Sequence, residues 1–500
     1  MNGFAQRKQA PEPARRRTMQ LLQSVTHSFD IRHMLPRGME PLEALPTNRE
    51  TYGRYISLAV PSVCEMVLIS LINMMDTVMV SGIGTDAVAA VGLVGQPRMI
   101  MLCFFFALNV GITAVVARRR GENRQDAANA AVRTAILMIL GMAAVLMAVL
   151  LPLARPLMVF AGAEEGRTLA EATEYFTIIG YALPFQALSI GMCAAQRGVG
   201  NTKLTMEVNI TSNLVNILFN YLLINGIGSF PRLGVRGAAI ATAIGLFVGF
   251  VLSLIAMIRG RGFLHFSLRD RWKPDAGEGK ALLKVASSAM VEQLAMRVGF
   301  FSYARIVAGL GTDAFAAHQI CMQFMNLSFS CADGLGVAGT SLVGQMLGRK
   351  RRDLAHIYGT LAQRFSLMIS LFLAAGCIFL RGPLVGMFIR RDASGVVRQM
   401  AENIMIVLGL IQPLQMLSVV AAGALRGAGD VRYTARVMLL TVTLIRPIFA
   451  IAGTYVMGTL LHNNGTALVA AWCATLCDMS VRAILMLRRY RSGQWHSIKV

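Results

Sequence analysis

Charge is what this chain is short of. Only 15% of its 500 residues are Asp, Glu, Lys or Arg, whereas 55% are hydrophobic. A soluble domain carries about 25% charged residues. Apolar runs of about 20 residues recur along the whole length, each enough to cross a bilayer. A soluble fold is therefore excluded, and an all-α polytopic membrane protein is expected. Loop cysteines are also missing. The eight cysteines (Cys64, Cys103, Cys193, Cys321, Cys331, Cys377, Cys473, Cys477) all fall in apolar spans, which argues against disulfides. Cys473 and Cys477 share a helix face but have no His or carboxylate near them in sequence, so they read as packing residues. Neither a phosphate-binding loop nor an HExxH motif is present, and no segment between spans is long enough to form a soluble active site. That excludes an enzyme and an ATP-driven pump. Transport would draw on an ion gradient, with no cofactor beyond a coupling ion, Na⁺ or H⁺. The first 54 residues carry nine Lys/Arg and no apolar run of signal-peptide length, so no cleavable signal is expected. They read as a basic, partly disordered cytoplasmic tail. Met39 offers a second start nearer the first span.

What charge there is has one sign in excess. Lys and Arg number 48 against 26 acids, a formal charge of +22. The basic residues sit in short clusters between apolar runs, the pattern of loops beside an anionic leaflet, and no nucleic acid is expected as partner. Twelve spans are predicted, near 55–82, 88–117, 128–154, 172–195, 204–226, 235–258, 283–309, 315–346, 358–380, 400–424, 433–458 and 466–487. With both termini inside, the inner segments hold 33 Lys/Arg and the outer loops 8. The expected location is the plasma (inner) membrane, with both termini cytoplasmic. The division is a tail over 1–54, a six-helix lobe over 55–258, a cytoplasmic linker over 259–282, a second lobe over 283–487 and a tail over 488–500.

The two lobes are copies. At an offset of 227, Glu65 falls on Glu292, and Gly82, Gly84, Thr85, Asp86 and Ala87 fall on Gly309, Gly311, Thr312, Asp313 and Ala314. Further along, Pro184, Gln186, Arg197, Gly198 and Gly200 match Pro413, Gln415, Arg426, Gly427 and Gly429 at an offset of 229. Six spans per copy give the lobes one orientation, related by a pseudo-twofold along the membrane normal.

Polar residues inside apolar spans are costly, and they mark candidate sites. Span 1 holds Glu65 and Asp76 on one face, about 16 Å apart. Span 5 carries Asn209, Asn213, Asn216 and Asn220 in a single stripe. Such residues are either interhelical glue or the lining of a site. Depth favours the second reading. Asp76 and Asn220 each lie six residues before an end-of-span glycine, Gly82 and Gly226, and Glu65 and Asn209 each lie 17 before the same glycines. A carboxylate with amide oxygens suits Na⁺, held by Asp76, Asn216 and Asn220, or a proton. Span 7 holds Glu292 beside Gln293, with Tyr303 where the first copy has Asp76. Glu65 and Glu292 are expected to face one central cavity, with Asn209, Gln293, Tyr303 and Gln415 also in its lining, and Asn213 is counted with the cation-coupling residues. Asp333, Arg305, Arg446 and Asp478 are read as interhelical pairs, and Arg98 and Arg482 as snorkelling side chains.

These residues resemble the multidrug and toxin extrusion (MATE) family. The resemblance covers about 55–490. It rests on Pro61, "NMMDTVMVSGIGTDAVAAVG", "ARRRGENRQDAA", "QRGVGNTK", "NLVNILFNYLLI", "GTDAFAAHQI" and "AAGALRGAGD" in that order. It implies twelve helices in two lobes and export of organic cations in exchange for Na⁺ or H⁺. It matches Asp76 to a first-helix aspartate, Asn216 and Asn220 to a cation-site pair, and Glu292 to a seventh-helix glutamate. One branch has an aspartate where this chain has Gln415, and Glu65 lies outside the common pattern. The reading is a cation-coupled antiporter, acting as a monomer in the lipid bilayer on small amphiphilic, cationic substrates. The rivals are a lipid-linked oligosaccharide flippase, which would want an arginine-rich cavity, and a non-transporting scaffold or receptor.

Overall fold

In the computed structural model, residues 30–498 are described, apart from 37, 82, 84, 164, 229, 261, 267–271, 389–394 and 462–463. Arg390 and Arg391, part of the linker and residues 1–29 of the tail thus lie outside the described residues. Twelve long helices follow one another: α1 (Asn48–Ser81), α2 (Thr85–Gly121), α3 (Gln125–Leu150), α4 (Arg167–Val199), α5 (Thr202–Asn225), α6 (Gly234–Arg259), α7 (Ala276–Ala308), α8 (Thr312–Gly348), α9 (Arg352–Phe379), α10 (Gly395–Gly427), α11 and α12 (Asn464–Arg491). Helix α11 is composite: Val431–Met438 is α-helical, Leu439–Ile445 is π-helical, and Arg446–Leu461 is α-helical again. Each predicted span falls on one of these helices, except that the third runs past Leu150 to the start of a short helix, Ala154–Phe160. Among the described residues, nine helices are apolar enough to cross a bilayer by length and composition alone. The three that fall short are α5, α7 and α8, which carry the asparagine stripe, Glu292 and the polar residues of α8.

Helices α1–α6 and α7–α12 form the two lobes. The repeat is visible in the turns. Gly200 after α4 and Gly429 after α10 both take left-handed φ, +91° and +89°. Both turns close with the same bonds, Asn201 N to Gln196 O at 2.8 Å and Asp430 N to Leu425 O at 2.9 Å. Two residues earlier, Gly198 lies against the Thr113 carbonyl and Gly427 against that of Thr340, too close for any side chain. Each glycine lets α4 or α10 lie on the second helix of its own lobe, which aims the preceding arginine, Arg197 or Arg426, into the lobe.

The lobes meet at their basic end. A Cβ on Gly121 would lie 2.8 Å from the Gly348 Cα, so α2 and α8 cross backbone to backbone. Tyr55 Oη donates to the Leu335 carbonyl (3.3 Å), Gln345 Nε2 to the Gly198 carbonyl (3.0 Å), and Arg119 Nε to Glu278 (2.9 Å). Further from that end, Gly334 of α8 meets the Val63 backbone of α1. Below it, α8 from Gly334 to Gly348 is almost wholly buried; above it, exposed side chains recur. The lobes are thus sealed at the basic end and parted at the other.

The tails differ from the expected free ends. Ile31 and Met34 are buried in the second lobe's core, and the Leu42 amide donates to Asp353 at 3.4 Å. At the other terminus Trp495 is fully buried, stacked on Tyr490 at 5.3 Å. Apolar side chains in both segments find a hydrophobic surface on α8, α9 and α12, which spacing within a tail does not reveal.

Candidate functional site

Helices α1 and α5 run side by side and parallel, so residues at equal depth meet. Asn220 Nδ2 donates to Asp76 Oδ1 at 2.9 Å. Asn209 Nδ2 donates to Glu65 Oε1 at 2.7 Å. Both contacts span 144 residues, as two straight helices in constant register require. One turn before Asn220, the Asn216 amide has a single orientation that satisfies both its ends. Its nitrogen donates to both Asp76 oxygens at 3.1 and 3.2 Å, and its oxygen accepts from Thr242 of α6. Asp76, Asn216 and Asn220 therefore form one cluster. The Asn220 Oδ1 is buried beside it with no partner. A half-buried carboxylate with a spare amide oxygen is a hard-oxygen donor set that fits Na⁺, and the same carboxylate can carry a proton. The opposite charge acting on Asp76 is Arg98 of α2, whose Nε is itself buried without a partner. Arg98 thus looks into the lobe rather than snorkelling. Asn213 stands apart from the cluster: its amide donates to the Asn209 carbonyl one turn back at 2.7 Å.

Glu65 and Glu292 are where the structure departs most from expectation. They do not face a shared cavity. Glu65 is 0% and Glu292 2% exposed. Glu65 accepts from Arg197 Nη1 at 3.0 Å and from Thr205 Oγ1 at 2.9 Å. Glu292 accepts from Arg426 Nη1 at 3.1 Å and from Thr434 Oγ1 at 3.0 Å. The lobes hold the same triad, Glu–Arg–Thr, in pseudo-symmetric places. Arg197 and Arg426 look like loop charges in the sequence; the glycine turns fold them inward. The signal for them was the repeat itself, since Arg197/Arg426 and Thr205/Thr434 keep one offset of 229. A buried carboxylate that is paired and hydrogen-bonded has its charge met inside its own lobe.

The remaining expected cavity residues are likewise taken up by packing. Gln293 is half-buried beside Glu292. Gln415 is fully buried and donates weakly to the Met325 carbonyl of α8 at 3.4 Å, away from Glu292. Tyr303, the counterpart of Asp76, is 3% exposed, with its ring edge-on to His318 and the Arg446 guanidinium 5.7 Å from the ring centre. Arg446 reaches Asp478 at 2.6 Å, and Asp478 also takes Arg482, so Arg482 is buried and paired rather than snorkelling. The second lobe has an aromatic and ion-paired core where the first has its acid–amide cluster.

A family model described as MatE matches residues 61–222 and again residues 288–452. The chain belongs to the MatE family. Two matched stretches, one per lobe, restate the duplication. A Thermotoga maritima protein named "Probable multidrug resistance protein NorM" is 27% identical over 469 residues, covering 93% of this chain and 97% of that protein. The Photobacterium profundum "Multidrug resistance protein NorM" is 28% identical over 389 residues, covering 77% and 83%. A solved structure described as the outward-facing conformation of a multidrug resistance MATE family transporter superposes with TM-score 0.81 at 20% identity, over 89% of this chain and 97% of that one. A Pyrococcus furiosus transporter, described as having a binding pocket of reverse polarity, superposes at 0.80 with 21% identity, over 88% and 95%. This MatE protein is a multi-pass membrane transporter, not an enzyme, with the all-helical two-lobed fold of those structures.

Proposed function

We propose that this transporter is a cation-coupled antiporter that exports small amphiphilic, cationic compounds, working as a monomer in the inner membrane with its basic end in the cytoplasm. The observation that carries the reading is the Asp76–Asn216–Asn220 cluster, built in one lobe and replaced in the other. The NorM relatives support export of drugs as the task. The excess of Lys/Arg at the sealed end supports a cytoplasmic position for it.

In this state the lobes part away from the cytoplasm. Na⁺ or H⁺ from outside would reach Asp76, with Asn216 and Asn220 as the other residues in contact. Neutralising that carboxylate weakens both amide bonds, because protonation turns one acceptor oxygen into a donor and Na⁺ takes up lone pairs. α1 and α5 are then held less tightly at this depth, which favours the alternate arrangement of the lobe. The coupling ion would be H⁺ if the carboxylate alone suffices, and Na⁺ if the spare Asn220 oxygen is recruited.

Dye efflux from energised everted vesicles, with Na⁺ and pH varied independently, tests the reading. Asp76→Asn is expected to abolish coupled efflux, because the amide keeps the shape but neither binds a cation strongly nor takes a proton. Asn220→Asp is expected to stay active, since it keeps the unpartnered oxygen beside the cluster and a proton shared with Asp76 replaces the amide bond. Wild-type efflux by Asp76→Asn would remove Asp76 from the coupling site.

A further inference from the structure

Above the sealed end, α8 presents a polar stripe. Gln319, Gln323, Asn326, Ser330 and Asp333 follow at spacings of four, three, four and three, so they lie on one face. Four of the five are exposed and Ser330 is half-buried. The opposite face, with Ala314, Ala317, Cys321, Met325 and Ser328, is buried in the second lobe. A polar stripe about four turns long does not face hydrocarbon, because each group would lose its water there. Helix α8 stands at the lobe boundary, touching α1 and α2 across it, so the stripe looks into the opening between the lobes.

Asp333 lies at the bottom of that opening. The next residue, Gly334, packs directly against the Val63 backbone of α1. Asp333 has no hydrogen bond or ion pair among the described residues; the charges acting on it are Arg426 and Glu292, which are already paired with each other. The same register in the first lobe places Gly92, Gln96, Met99, Cys103 and Phe106 on α2. Cys103 is fully buried; Gln96 and Met99 are exposed, Met99 by 41%, and Phe106 is half-buried, so Met99 and Phe106 give this side its apolar surface. The opening thus has one amide-lined wall ending in an unpaired carboxylate and, facing it, the apolar surface of Met99 and Phe106.

We propose that the α8 stripe is the substrate-recognition wall: Asp333 takes the charge of a lipophilic cation, the amides of Gln323 and Asn326 take its polar groups, and Met99 and Phe106 of α2 cover its apolar part. This rests on the exporter reading above and assigns the substrate contact to the second lobe, apart from the coupling carboxylate Asp76. A lipophilic monocation fits because the site offers one uncompensated negative charge against an apolar surface.

The test uses the full-length protein, purified and reconstituted, with tetraphenylphosphonium as the cation and a neutral dye of similar size. Direct binding is measured as well as transport, so that the site is tested whether or not coupling is reconstituted. Asp333→Asn is expected to weaken tetraphenylphosphonium binding and raise its transport KM about tenfold, the scale of one lost charge contact. It should leave the neutral dye unchanged, and Asp333→Glu should restore the cation. Asn326→Cys is expected to react with a membrane-impermeant maleimide above the wild-type background and to be protected by tetraphenylphosphonium. Unchanged cation binding by Asp333→Asn, equal losses for both ligands, or an unreactive Asn326→Cys would overturn the assignment. If wild type binds the cation through Asp333 but transports neither ligand, the exporter reading fails and this site stands. If wild type exports both and Asp76→Asn alone stops it, the exporter reading stands and this site fails.

Discussion

At the residue scale, the acids of this chain divide by whether a partner was supplied within the lobe. Glu65 and Glu292 have an arginine and a threonine each, Asp478 has two arginines, Asp76 has only amides, and Asp333 has none. Removing one member of a buried ion pair strands the other charge, at about 3–5 kcal/mol, whereas replacing both with apolar groups is nearly neutral. Arg197→Met alone is therefore expected to lower the melting temperature sharply in detergent, and Arg197→Met with Glu65→Leu to recover most of it. Additive losses would show that the two side chains act independently. Glu292→Gln should reduce transport of charged and neutral substrates alike, because its effect runs through stability, in contrast to Asp333→Asn. A parallel efflux assay of both substrates separates the two cases.

At the element scale, α11 shows how a local irregularity decides chemistry. The asparagine stripe of α5 keeps regular α spacing, so Asn216 and Asn220 stay aligned with Asp76. The matching helix of the second lobe inserts a π turn over Leu439–Ile445, with Arg446 directly after it. One added residue rotates everything beyond it by about 100° relative to a regular helix. That rotation turns Arg446 toward Asp478 and Tyr303. Deleting Leu444, which is 50% exposed, should restore α spacing, swing Arg446 away and cost several kcal/mol, about that of a broken buried pair. Melting curves check this. Adding Arg446→Met to the deletion should cost little more, and a full further loss would mean the pair had survived.

At the scale of the whole molecule, the two lobes turn on a glycine crossing. Gly121 and Gly348 let α2 and α8 touch at the sealed end, where a Cβ on Gly121 would lie 2.0 Å from the Gln345 carbonyl. Gly121→Leu is expected to wedge this end apart. Overpacking of about 1–3 kcal/mol corresponds to a 5- to 150-fold change in the balance between the two arrangements of the lobes. Distances between spin labels on the basic ends of α2 and α8 should lengthen, and efflux should fall more than about tenfold while the fold persists. Unchanged distances with full efflux would show that the seal is not the moving contact.

Much of this molecule was legible as a string. Twelve spans, their duplication and the shared height of Asp76 with Asn220 follow from length, period and register, because a membrane helix is straight enough for residue counting to measure depth. The same counting set Glu65 level with Asn209, and the two do meet. Counting does not say which neighbouring helix a face will meet. That choice belongs to the packing of all twelve, and it turned Arg197 and Arg426 from apparent loop charges into partners of Glu65 and Glu292. It also left Asp333, which reads as one more interhelical pair, alone at the bottom of the opening. The sequence determined what each helix carries and at what depth; only the tertiary structure decided which charges were satisfied, because partners more than a hundred residues apart are brought within 3.1 Å by close glycine contacts between helices.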